Sequence, residues 1–180
     1  IVDSSLKFSP HVESTVNKAN KALFCLLRNV KSSDPVILLR LYKAYVRPIL
    51  EYCSPVWNTF VKKDMKIEKV QRTFIRILYY HAFRNPNCPQ SLPSYKIRLK
   101  KSGLKSLFYR RLEADIIMGF KILRGEVKLK LSDFWTIRPT SERRASLNIC
   151  LPRFGSSCPA LLYNSFSHRV SRFLNTLSQH

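Results

Sequence analysis

The side chains able to do chemistry are few here, and their spacing sets them against catalysis. A nuclease or polymerase centre needs clustered carboxylates to hold divalent metals. The closest acidic pair, Glu113 and Asp115, lies two apart on helical sequence and so faces two directions, and no other two acids fall within three residues. His11, His81, His168 and His180 sit in no catalytic motif, and His81, in the run Tyr79-Tyr80-His81, reads as a helix-end residue rather than a general base. The five cysteines, Cys25, Cys53, Cys88, Cys150 and Cys158, are odd in number and unpaired in spacing, which suits isolated thiols in a reducing, intracellular compartment. As a zinc site, Cys150, Cys158 and His168 lack a fourth ligand. The four glycines, Gly103, Gly119, Gly125 and Gly155, are too dispersed for a phosphate-cradling loop. Taken alone, the chain is expected to have no catalytic activity.

What remains is cationic chemistry. The 180 residues carry 32 Lys+Arg against 11 Asp+Glu, a formal charge of +21, yet 45% of residues are hydrophobic, so this is a folding chain with its charge outside. Self-repulsion on that scale is relieved by a polyanion, nucleic acid first. The charge is also localised. Residues 61–126 hold 16 basic and 5 acidic side chains, a net +11, against +4 for 1–60 and +6 for 127–180. Within them Lys62, Lys63, Lys66, Lys69, Arg72 and Arg76 recur at helical intervals. A second cluster joins Lys96, Arg98, Lys100, Lys101, Lys105, Arg110 and Arg111. A basic stripe beside an apolar one tracks a phosphate backbone. A merely solvated face would need acids at neighbouring turns, and only Asp64 and Glu68 are available. A basic amphipathic helix also suits an anionic membrane surface. Apolar stripes on every helix point instead to mutual packing, no stretch is long enough to span a bilayer, and no signal peptide is evident.

The elements that must position these cations are mostly helices. Ser9 as cap and Pro10 at the first position open a helix with Val12, Val16, Ala19, Leu23, Leu26 and Val30 on one face. Asp34-Pro35 opens another, with Ile37, Leu38, Leu41, Tyr45 and Val46 apolar and a kink expected between Tyr45 and Arg47 ahead of Pro48. Ile49, Leu50, Tyr52, Val56 and Trp57 continue the apolar run past Pro55. A third helix starts near Asp64, with Ile67, Val70, Phe74, Ile77 and Leu78 inward; residues 84–93 form a loop. A short helix over 95–101 stops at Gly103, and a longer one begins after Ser106 and ends at Gly125. Residues 126–144 read as an irregular connection anchored by Trp135, 146–154 as a short strand, and 163–177 as a closing helix with Phe166, Val170, Phe173 and Leu177 inward. The fold class expected is mainly α, a helical bundle with one short β-hairpin near the C-terminus. The core is expected around Leu41, Tyr45, Ile49, Leu50, Trp57, Val70, Phe74, Ile116 and Phe120.

The run Leu41-Tyr42-Lys43-Ala44-Tyr45-Val46-Arg47-Pro48-Ile49-Leu50-Glu51-Tyr52-Cys53-Ser54-Pro55-Val56-Trp57 closely resembles the segment after the palm in reverse transcriptases of non-LTR (LINE-type, Jockey-like) retrotransposons. Asp3 to Val12 resembles the stretch leading from that palm to the thumb, and Ile67-Glu68-Lys69-Val70-Gln71-Arg72 with Phe74 resembles the next helix. Arg98-Leu99, Gly103-Leu104, Ser106-Leu107 and Tyr109-Arg110-Arg111 are similar to the phrase after it. The closing helix is similar through Asn164-Ser165-Phe166-Ser167, Arg169-Val170 and Asn175, with Leu174 where the family usually reads tryptophan and His168 where Asn or Val-like residues are common.

The resemblance implies a thumb-like helical domain over 1–125 and a C-terminal connection, strand and closing helix over 126–180. The family's palm and fingers, with paired aspartates and Mg, would lie before Ile1, so the chain reads as a fragment of an RNA-directed DNA polymerase, inactive alone and without a cofactor of its own. The implied partners are RNA and an RNA–DNA hybrid, with no membrane, and the location is nuclear or cytoplasmic. Backbone contacts are expected from Lys62, Lys63, Lys66, Lys69, Arg72, Arg76, Lys100, Lys101, Lys105, Arg110 and Arg111. Tyr79 and Tyr80 can stack on bases, though aromatic packing at a helix end is the commoner use. The alternatives are a free-standing basic helical adaptor for an acidic protein and a retroelement relic without function.

Overall fold

The computed structural model describes residues 8–58, 64–82, 92–138, 148–150 and 165–177. The fold is mainly helical with a two-stranded antiparallel hairpin toward the C-terminus. Its contacts form two compact units: Ile1–Cys53 with Phe60–Arg110, and Ser54–Thr59 with Arg111–His180. The helix that begins at Leu107 contributes Ile122 to a core with Trp135, Ile149, Val170 and Leu174, so its body belongs with the C-terminal residues.

In the first unit, α1 (Ser9–Asn29) buries Val12, Thr15, Ala19, Leu23 and Leu26. Ser9 lies inside this helix, and the N-cap is Phe8, which makes no side-chain capping bond. The start therefore rests on the preset φ of Pro10 and not on a serine cap. At α2 (Pro35–Leu41) the expected cap forms: Asp34 Oδ1 accepts from the Val36 amide at 2.8 Å.

The kink expected before Pro48 takes the form of a π-helical turn over Tyr42–Val46. Proline has no N–H, so the Ala44 carbonyl loses its usual donor four residues on; the Arg47 amide instead reaches back five, to the Tyr42 carbonyl. The wider turn rephases the apolar stripe, so that Leu38, Tyr42, Val46 and Leu50, spaced by four, share one buried face through α2, the π turn and α3 (Arg47–Glu51). Tyr45, expected in the core, is turned out and 65% exposed. It borders an open apolar groove of about 350 Å³ with Leu26, Val30 and Leu41. Tyr42 stacks on Phe74 of α5 (Asp64–Ala82), ring centroids 4.1 Å apart. On α5, Ile67, Val70, Phe74 and Leu78 are buried as expected, Ile75 is buried in place of Ile77, and the polar Glu68 and Gln71 are buried with them.

The next helix of this unit, α6 (Tyr95–Ser102), ends at Gly103, whose φ of 62° closes a Schellman motif: the Gly103 amide donates to Lys100 O and the Leu104 amide to Leu99 O. In the second unit, α4 (Ser54–Trp57) buries Trp57, and α7 (Leu107–Leu123), whose first turn belongs to the first unit, ends at Gly125 by the same motif. Phe120, expected inside, is exposed, and Ile122 takes the inward position. A short 3₁₀ turn over Leu131–Asp133 leads to Trp135, buried as expected, whose Nε1–H donates to Ser167 O at 2.9 Å. β1 (Thr136–Arg138) pairs antiparallel with β2 (Asn148–Cys150), Ile137 opposite Ile149. The other edge of β2 is closed by Asn175 of α8 (Phe166–Leu177), whose side-chain amide accepts from the Ile149 amide and donates to Ile149 O, both at 3.1 Å. Leu174 is buried on α8 in place of the expected Phe173, which is half-buried. The loop expected over 84–93 and the flanks of the expected strand, Leu147 and Leu151, lie mostly outside the described residues.

Candidate nucleic-acid interface

The two basic clusters read from the sequence meet on α5 and α6 of the first unit. Helical spacing puts Lys69, Arg72 and Arg76 on the exposed side of α5, opposite the apolar stripe. Lys96, Lys100 and Lys101 are exposed on α6, and Lys105 follows in the turn after Gly103.

What holds the helices in register is a buried polar chain. The Tyr42 hydroxyl donates to Gln71 Oε1 at 3.0 Å. Gln71 Nε2 donates to the Tyr95 hydroxyl at 3.2 Å and to Lys105 O at 3.1 Å. The Tyr95 hydroxyl in turn donates to Glu68 Oε1. Burial pushes both phenols far above the ordinary tyrosine range, and for Tyr95 the Glu68 acceptor adds to the effect, so both remain neutral donors. Glu68, one of two acids that could have balanced the stripe, is thereby turned inside. Outside, Glu13 of α1 meets Lys66 Nζ at 2.6 Å in an exposed pair, and such pairs add little stability.

Two aromatic rings carry cations across the same junction. The Arg72 guanidinium lies 4.7 Å from the Tyr95 ring centroid, with Arg98 at 6.0 Å. Lys101 Nζ lies 5.8 Å from the Tyr79 ring. Arg98 also donates from Nε to Pro93 O at 3.0 Å, so it is committed locally.

Several expected contacts stand elsewhere. Arg110 forms a two-pronged pair with Glu51, its Nη2 donating to Oε2 at 2.9 Å, and Arg47 lies 3.8 Å from the same carboxylate. Arg111 is 1% exposed, an interior residue of the second unit with its guanidinium 6.0 Å from the Trp57 ring. Lys62 and Lys63 lie outside the described residues. Tyr80 is exposed and Tyr79 half-buried. The polar pair Gln71–Tyr95 was invisible to sequence reasoning; the one available signal was a glutamine interrupting the apolar stripe of α5.

The acids expected to face apart do so: Glu113 is exposed and Asp115 is fully buried. Asp115 Oδ2 accepts from Arg169 Nε at 3.1 Å and from Asn58 Nδ2 at 2.9 Å, while Arg169 Nη2 donates to Pro55 O at 2.9 Å. This cluster ties α4, α7 and α8 within the second unit and is structural. Among the described residues, no group of three or more His, Cys, Asp or Glu could hold a metal, and no helix is long and apolar enough to cross a membrane. Of the candidate zinc ligands, Cys150 is half-buried on β2 and Cys158 lies outside the described residues.

No protein-family model matches the chain, and no solved structure does. It is 30% identical over 125 residues to an uncharacterized protein of Caenorhabditis elegans, a stretch covering 69% of this chain and 61% of that protein. The chain thus spans about three fifths of the length of the curated relative it matches.

Proposed function

We propose that this chain is the template–primer binding part of a retroelement RNA-directed DNA polymerase, a thumb-like region that grips the sugar-phosphate backbone of an RNA–DNA hybrid without reading its sequence. The observation that carries the reading is the convergence of Lys69, Arg72 and Arg76 with Lys100, Lys101 and Lys105 at the α5–α6 junction, where the Glu68 carboxylate is turned inward to the Tyr95 hydroxyl. The resemblance of residues 41–57 and 67–74 to the region after a non-LTR reverse transcriptase palm supports it further. Catalysis, and the Mg it needs, belongs in this reading to the palm and not to this chain. Cys25, Cys53 and Cys150 are free thiols, which suits a reducing nuclear or cytoplasmic setting.

The test is binding of the 180-residue chain to an RNA–DNA hybrid over a range of salt. Affinity should fall steeply with salt and differ little between sequences. Replacing Lys69, Arg76 and Lys100 with alanine should weaken all sequences alike and flatten the log–log slope by about 0.7–0.9 per contact removed. Salt-independent binding, or loss confined to one sequence, would overturn the reading. An acidic protein that stays bound after nuclease treatment would favour the adaptor instead.

A further inference from the structure

The cations of this surface are not equivalent, and the difference lies in what is beneath them. Arg72 of α5 rests on Tyr95 of α6 at 4.7 Å, and Lys101 of α6 rests on Tyr79 of α5 at 5.8 Å. Each helix thus presents a cation on the other's ring. Along α5, positions 72 and 79 are about 10 Å apart by helical rise. Lys69, Arg76 and Lys100 are exposed, and among the described residues no ring lies beneath them. The Tyr95 ring is itself immobilised, because its hydroxyl is bonded to Glu68 and Gln71.

We infer that Tyr95 and Tyr79 are positioning residues for phosphate binding, holding Arg72 and Lys101 as a two-point clamp on the backbone of a nucleic-acid duplex. The inference rests on the proposed backbone grip and adds which cations carry it and why. A guanidinium seated over a ring still has N–H groups to offer a phosphate, and less side-chain freedom remains to be lost when the phosphate arrives. Two seated cations at a fixed separation also favour the regular phosphate row of a duplex over a pliable single strand. Loosely held lysines contribute to both equally.

The test uses the full chain, a hybrid duplex and a single-stranded RNA of the same length, with folding of each variant checked by circular dichroism. Tyr95→Leu should weaken duplex binding about two- to fivefold, the worth of an exposed cation–π contact. It should leave single-strand affinity nearly unchanged and have no further effect in an Arg72→Ala background. Tyr95→Phe keeps the ring, so its folded form should lose less duplex affinity than Tyr95→Leu, although its hydroxyl bonds are gone and its melting temperature falls. Arg72→Lys should weaken duplex binding while Lys69→Arg does not, a comparison that leaves Tyr95 intact should Tyr95→Leu fail to fold. Equal weakening by Tyr95→Leu with and without Arg72, or loss in Tyr95→Phe matching that in Tyr95→Leu, would overturn the clamp and leave the backbone grip standing. Absence of any salt-dependent binding by the parent chain would overturn both.

Discussion

Asp115 and Arg169 form an ion pair at 3.1 Å between side chains 0% and 3% exposed, with Asn58 and the Pro55 carbonyl completing the cluster. Arg111 also bears on the carboxylate, so one buried anion faces two cations. A pair of this kind pays for its attraction in lost hydration. Its removal by halves therefore differs from its removal as a whole.

Asp115→Ala should destabilise the protein by about 3–5 kcal/mol, because Arg169 and Arg111 lose their buried anion together. Arg169→Met should cost less, since Arg111 and Asn58 still face Asp115. The double variant Asp115→Leu/Arg169→Met should recover part of the Asp115→Ala loss, the remainder being the buried Arg111 guanidinium still left without its anion. Urea unfolding of the three variants measures this, and additive losses would contradict it.

At Gly119 the decisive quantity is space. A Cβ built on this glycine of α7 would stand 2.4 Å from Val170 Cγ1 of α8. Alanine normally gains about 1 kcal/mol over glycine inside a helix. Here Val170 is fully buried and stiff at χ1, so Gly119→Ala should instead destabilise by about 1–2 kcal/mol. In a Val170→Ala background the sign should reverse, and Gly119→Ala should then stabilise. Thermal unfolding of the four combinations closes the cycle.

Gln71 is fully buried and makes three hydrogen bonds. Tyr42→Phe should cost about 1–2 kcal/mol in the parent, because Gln71 Oε1 loses its donor. The same change in a Gln71→Leu background should be neutral or stabilising, since no acceptor remains to be orphaned. Gln71→Leu alone should be the worst of the three.

Arg111 and the surface cations should separate by assay. Arg111→Ala should lower the melting temperature while the folded fraction binds hybrid with an unchanged salt slope. Lys69→Ala/Arg76→Ala should leave stability within about 0.5 kcal/mol and flatten the slope by roughly 1.4–1.8. A flattened slope in Arg111→Ala would put that side chain on the phosphate after all.

Much of the architecture is a local property and could be read residue by residue. Helices announced themselves by apolar recurrence over Val12–Leu26 and Ile67–Leu78, and their ends by Asp34-Pro35, Gly103 and Gly125. These signals act within one or two turns of backbone, so they can be read without knowing which distant residues pack nearby. Trp135 was legible as an anchor because a large apolar side chain in polar sequence has few other uses, and Ile149 as one side of a short strand.

Three things were decided only by the three-dimensional structure, two of them through residues far apart in the chain. Which face of residues 35–51 is inward turned on the π turn before Pro48, whose rephasing exposes Tyr45 and buries Tyr42 against Phe74. Which arginine is buried turned on neighbours: Arg110 and Arg111 are adjacent, yet one answers Glu51 and the other lies over Trp57. Which acids are drawn inside turned on partners 27 and 54 residues away, Tyr95 for Glu68 and Arg169 for Asp115. Composition determines how much charge the chain carries. Where that charge is accessible follows from desolvation and pairing, both set by neighbours in space.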